Sequence, residues 1–160
     1  MRFARMAAAF GGAATLAAGF AFAQVPQYGP NVTLEQARKL INAGHAEAVK
    51  NQWPVAISVV DTAGNLVAFE KMDQTQNGSV MISQDKAVSA AMLRRPTKVI
   101  QDAVAGGGAG VRFLGLRYAS PVEGGLPIVV DGKIIGAIGV SGVTSEQDGM
   151  VAAAGLAALK

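Results

Sequence analysis

One imidazole, no thiol and a scatter of carboxylates bound the chemistry open to this chain. His45 is the only histidine, and there is no cysteine among the 160 residues. A serine–histidine–aspartate arrangement would have to be built on His45. Ser141, in Gly139-Val140-Ser141-Gly142, lacks the glycine spacing of a nucleophile elbow. The absence of thiolates and of clustered histidines excludes iron–sulfur clusters, covalent c-type haem and ordinary tetrahedral zinc. Ligation by His, Met, Tyr or an oxygen group stays open, and a single neutral imidazole is a common metal ligand and an axial ligand to haem iron. The duller reading of His45 is a partly buried ring hydrogen-bonded to a neighbour. Met72, Met81 and Met92 either offer thioethers or fill core. Lys71, Lys86, Arg94 and Arg95 suit the anionic groups of a ligand, the arginines bidentately. Asp61, Asp73 and Asp148 each close a strand or open a helix. They either converge on a cation, or Asp61 caps a turn and Asp148 complements a helix dipole.

The phosphate-binding patterns are missing. Ala105 to Gly110 (AGGGAG) does not satisfy G-x-G-x-x-G and follows no strong strand, and no G-x-x-x-x-G-K-[ST] occurs.

These candidates have to be positioned by a small set of elements. Thr33 with Gln36 three residues on is a capping-box pattern, predicting a helix to about Asn51. At 100° per residue Leu34, Ala37, Ile41, Gly44, His45 and Ala48 share one face, which places His45 on the buried stripe. Pro54 ends that helix. Val55–Asp61, the turn Thr62-Ala63-Gly64-Asn65 and Leu66–Phe69 read as a hairpin, since so short a connection joins only antiparallel strands. Ser79 opens a helix to about Leu93, whose Val80, Ser83, Ala87, Ala90 and Ala91 allow close approach of backbone, sheet or a flat ligand. Pro96 starts a short helix to about Val104, followed by the glycine-rich stretch, the most flexible of the chain. Ile128–Val130, the turn Asp131-Gly132 and Lys133–Val140 form a second hairpin. Gly136 and Gly139 in its return strand mark close approach by another backbone, a ligand or a packed helix. Thr144 with Gln147, or Ser145 with Asp148, caps a last Ala-rich helix. Helix, hairpin, helices, hairpin, helix is an α+β order with an antiparallel sheet covered by helices.

The N-terminus reads as a leader. Arg2 and Arg5 precede the apolar stretch Met6–Phe20, and Ala21-Phe22-Ala23 fits small-x-small cleavage. This predicts an exported protein, periplasmic or extracellular, beginning at Gln24 after cleavage near Ala23. Residues 24–32 form an extended lead-in and 33–160 one domain. The formal charge is +3. The leader carries two basic side chains and no acidic one, so +1 remains after cleavage. That leaves no basic footprint for nucleic acid. No later stretch reaches about 18 apolar residues, so the mature chain is not expected to be membrane-embedded.

Several blocks in order carry a resemblance. Val59–Asp73 (VVDTAGNLVAFEKMD), Ser79 with Asp85-Lys86-Ala87, Gly124-Gly125-Leu126-Pro127-Ile128, Ile135–Gly142 (IGAIGVSG) and Gln147-Asp148 together resemble the GlcG/HbpS-like family. The likeness runs over almost all of Thr33 to Lys160. It implies a profilin-like α+β sandwich, with an antiparallel sheet of about five strands flanked by helices, often assembled as a homo-oligomer. It also implies non-covalent, b-type haem binding, with slow haem degradation, iron binding or a sensory protein partner in some members. Carried onto this chain, it implicates His45, Met72, Asp73, Lys86, Arg94 and Arg95 as ligand contacts, with His45 on the iron. Thr97 matches a family threonine near bound haem. A haem-free small-molecule or sensory module on the same surface is the alternative. The family's R-M-D-G-A is Lys71-Met72-Asp73-Gln74-Thr75 here, and Gly149 replaces a frequent Glu.

Overall fold

The computed structural model describes residues 25–159. The leader expected over Met1–Ala23 lies outside the described residues. Two capping boxes frame the chain. Thr33 accepts from the Gln36 N–H and receives its side chain in return, opening α1 (Leu34–Asn51). Thr144 and Gln147 do the same for α4 (Ser145–Ala157).

Between them lie β1 (Ala56–Val60), β2 (Leu66–Lys71), α2 (Ser79–Leu93), α3 (Thr97–Ala105), a 3-10 helix (Gly108–Gly115), β3 (Gly125–Val130) and β4 (Lys133–Ser141). The strands form one antiparallel sheet in the order β2-β1-β4-β3, so the two hairpins meet along β1 and β4. The Asp131-Gly132 turn takes positive φ at both residues, 49° and 72°, as a tight hairpin turn requires.

The sheet has four strands where about five were expected. The lead-in adds only an isolated parallel bridge, Tyr28 to Ile134. Pro26 and Pro30 bracket it, and each removes a backbone donor that a longer ladder would need. The glycine-rich stretch also departs from expectation, since the 3-10 helix takes up Gly108 and Gly110.

The alternation of β1 distributes the core between two faces. Val55, Ile57 and Val59 point towards α1 and α4, joined by Leu40, Ile41, Ile138, Val140 and Val151 in one aliphatic cluster. Val60 points to α2 and packs on Ala87, Ala90, Ala91 and Ala137. α2 lies across β1, β4 and β3 on this second face. Gly139 is what lets it settle there, because a Cβ at that position would stand 2.1 Å from the Ser83 carbonyl oxygen. The close approach expected from the small residues of α2 is therefore made by the sheet.

Candidate functional site

The residues singled out in the sequence separate into three places. The first is the open β2 edge. The buried stripe of α1 consists of Ala37, Leu40, Ile41, Gly44 and Ala48. His45 flanks this stripe instead of lying within it, and its side chain is 43% exposed. The helix turns it off the centre line, towards β2. There its Nδ1 meets Oε1 of Glu70. Glu70 arrives by register. It pairs across the sheet with Ile57, so its side chain shares the α1 face with that core residue. A carboxylate accepts, so in the neutral imidazole this contact favours the proton on Nδ1 and leaves Nε2 as the nitrogen open to a ligand. Metal-binding histidines are oriented by such a partner in the same way. Both groups are partly open to solvent, Glu70 at 37%.

Two other candidates follow Glu70 on the chain. Met72 packs against the α1-face core, and Asp73 is exposed. Their turn is held by Thr75, whose hydroxyl donates to the Met72 carbonyl at 2.8 Å. Gln74 stands at φ 67°, a left-handed conformation that favours the glycine it replaces.

The second place is buried. Lys86, 1% exposed, donates from Nζ to Oδ2 of Asp148 at 2.8 Å and to the Val140 carbonyl at 2.9 Å. Asp148 accepts further from the Val143 N–H at 3.2 Å. Burial pushes the Lys86 ammonium below the usual lysine range, against the pull of Asp148. Burial likewise lifts the Asp148 carboxyl above the usual range, against the pull of Lys86. Gly124, at φ 125°, closes over the pair, since a Cβ there would lie 2.8 Å from Nζ. Thr97 is also enclosed, and its hydroxyl accepts from the Gly125 N–H at 2.9 Å. Lys86 and Thr97 thus direct their polar atoms into the protein, joining α2, α3, β3 and α4.

The third place is the end of α2. Arg94 caps that helix at φ 52° and lies over the Tyr28 ring at 5.4 Å from its centroid. Tyr28 is itself anchored, its hydroxyl donating to the Ala91 carbonyl at 2.9 Å. The Arg95 Nε donates to the Leu93 carbonyl at 3.0 Å.

The three aspartates do not meet. Asp61 accepts from the Ala63 and Asn65 N–H groups, each at 2.9 Å, and so caps its turn. Asp148 is paired and Asp73 stands free on the surface. Among the described residues no three histidine, cysteine or acidic side chains converge on a metal position. Nor is any helix among them long and apolar enough to cross a membrane.

Sequence reasoning missed Glu70, although the alternation of Leu66–Lys71 carried the signal. Once Ile57 is placed in the core, antiparallel register brings Glu70 to the same face. It also missed Glu123, whose Oε1 would be 3.0 Å from a Cβ at Gly149. The absent side chain at 149 leaves room for that carboxylate.

Comparison with known proteins gives a consistent result. A family profile described as haem degrading protein HbpS-like matches residues 32–157. Protein GlcG of Escherichia coli K12 is 45% identical over 107 residues, covering 67% of this chain and 78% of that protein. A double variant of Streptomyces reticuli HbpS superposes with a TM-score of 0.76 at 26% identity, covering 94% of this chain and 99% of the other. A PduOC–haem complex gives 0.73 at 27% identity, covering 80% and 94%.

Proposed function

The chain belongs to the HbpS-like family of haem degrading proteins, and from that premise we propose that it binds haem non-covalently through His45. The observation that carries this reading is the His45–Glu70 pair: a half-exposed imidazole whose Nδ1 meets a carboxylate oxygen. The donor set fits haem. The His45 imidazole would hold the iron, and a chain without cysteine cannot attach the group through thioether bonds. In this reading His45 presents Nε2, Glu70 holds the ring in place, and Met72 and Asp73 border the contact. Bound haem supplies redox and oxygen chemistry of its own, so degradation needs no further catalytic side chain. The likeness to a protein solved with haem supports the same reading.

A half-exposed histidine on a convex helix needs a second surface over the ligand, and we propose that another copy of the chain provides it. We place the working protein outside the cytoplasm, beginning at Gln24, where haem carriage or a signal to a sensory partner would be its use. N-terminal sequencing of exported protein that found Met1 retained would reject that placement.

The test of the ligand is a haem titration followed by absorbance, with His45→Ala and Glu70→Gln alongside. A saturable Soret shift at fixed stoichiometry is expected, with an altered spectrum in His45→Ala. Glu70→Gln should bind about tenfold more weakly, as loss of a histidine's orienting partner does elsewhere. A wild-type spectrum in His45→Ala would remove His45 as ligand. No saturable shift at all would leave the haem-free binding module. Loss of the band on adding ascorbate reports degradation as distinct from carriage.

A further inference from the structure

Haem binding at His45 leaves unused two features that stand at opposite ends of α3. The first follows its C-terminal end. No residue of the 3-10 helix Gly108–Gly115 is buried; Leu114 is 63% exposed, and Val111 and Leu116 are exposed with it. Residues 103–122 include two arginines and no acidic side chain. Arg117 lies over the Tyr118 ring at 5.3 Å from its centroid. Among the described residues no carboxylate pairs with Arg112. The segment is an apolar knob that carries an unpaired cation, and apolar side chains gathered in the open mark a contact surface.

The second feature lies at the first turn of α3, beside Lys98. A hollow of about 410 Å³ is lined there by Gly149, Met150 and Ala153 of α4 with Lys98, Glu123 and Glu146. Met150 is 57% exposed. Lys98 is engaged by Asp102 at 3.0 Å and reaches Glu123 only at 3.8 Å, so the buried Oε2 of Glu123 has no hydrogen-bond partner. Glu146 is exposed, and no cation among the described residues pairs with it. The hollow has apolar walls and an excess of negative charge, and in both respects it complements the knob.

A chain that carries a knob and its complement finds the partner for both in a second copy of itself. The nine residues of α3 hold the two about 13 Å apart. Two α3 helices laid antiparallel bring the C-terminal end of each to the N-terminal end of the other, and α3 leaves Val99 exposed for that contact. One two-fold axis then makes the knob-to-hollow contact twice, as self-complementary dimers do. An anionic lipid surface would engage the knob but be repelled by the carboxylates of the hollow. We propose that two copies pair in this way, each seating Leu114 in the other's hollow and setting Arg112 against Glu146. The interface is independent of the haem reading. α3 packs on α2 and β3, whereas His45 and Glu70 sit by β2 at the other edge of the sheet.

The test is sedimentation velocity of the purified, haem-free protein over a concentration series. Wild type should weigh at least two chains. Arg112→Glu and Glu146→Arg should each weaken pairing by at least about a hundredfold, and the double reversal should recover it to within about tenfold of wild type. Leu114→Ser should weaken it by about tenfold or more. All three side chains are exposed, so each variant should keep the wild-type far-UV spectrum. A wild type that weighs one chain at every concentration, an undiminished mass in Arg112→Glu, or a double reversal no better than the single changes would each overturn the proposal. Pairing should persist in His45→Ala, so failure of the haem reading leaves it standing, and loss of pairing leaves the haem titration to be read by itself.

Discussion

The two faces of the sheet are built on different principles. Towards α1 and α4 the sheet presents branched aliphatics, which fill space and tolerate some rearrangement. Towards α2 it presents Ser58, Ala137, Gly139 and Ser141. There the backbones nearly touch, and buried polar pairs fix the alignment: Ser58 with Ser83 at 2.8 Å, Ser141 with Ser79 at 3.1 Å, Lys86 with Asp148. An aliphatic layer supplies most of the hydrophobic stabilisation. A layer of small and hydrogen-bonded residues supplies less of it and sets position instead. The contrast accounts for the fate of the candidate site residues, because Lys86 and Thr97 belong to the positioning layer while His45 flanks the filling one.

The sharpest way to break the contrast is Gly139→Val. The obstruction is helix backbone, which cannot step aside as a side chain would, so the expected cost exceeds about 4 kcal/mol and little folded protein should be recovered. Lys86→Met comes next. Removing one partner of a buried ion pair costs about 3–5 kcal/mol, read from urea denaturation. This pair also gives a pH signature. Asp148 is raised in the folded state, so above the ordinary carboxyl pKa the folded chain holds a proton that the unfolded chain has released. Stability from this group is therefore present below that pKa and falls as pH rises through the raised value. Asp148→Asn mimics the protonated form. The stability of wild type relative to Asp148→Asn should accordingly fall as pH rises above the ordinary carboxyl range, and a rise would show that attraction to Lys86 outweighs burial. Ile138→Ala, one residue from Gly139 but on the aliphatic face, should cost about 3 kcal/mol by leaving a cavity. The smallest effect belongs to the serines. Ser83→Ala strands the Ser58 hydroxyl at about 1–2 kcal/mol, and Ser58→Ala with Ser83→Ala should cost clearly less than the two single changes added.

The helices and hairpins were legible because their signals are local. Thr33 with Gln36, Asp131 with Gly132 and the β-branched run from Val55 each act within a few residues. The small face of α2 and the glycines of β4 were visible too, but not what they approach, since a helix, a sheet and a flat ligand ask for the same small residues. The number of strands depended on whether the lead-in could extend its bridge, which its two prolines decide. His45 was assigned to the buried stripe because a helical wheel has no tertiary neighbour in it; the stripe that forms is set by Leu40, and His45 is drawn to Glu70. The pairing of Lys86 with Asp148 spans 62 residues, and neither residue's local pattern names the other.

The meeting of β1 with β4 also has a consequence for how the chain acquires its structure. β1 pairs with β2 across a short turn, but its other neighbour, from Ala56 opposite Ser141 to Val60 opposite Ala137, is supplied only after α2, α3, the 3-10 helix and β3. A chain emerging from its N-terminus can close the first hairpin at once and must then carry an open strand edge until β4 arrives. Contacts between distant segments are slow to form, and open edges invite association. The vulnerable interval of synthesis is therefore that in which β1 waits for its second partner, and changes that lengthen the intervening glycine-rich segment should slow folding more than they lower final stability.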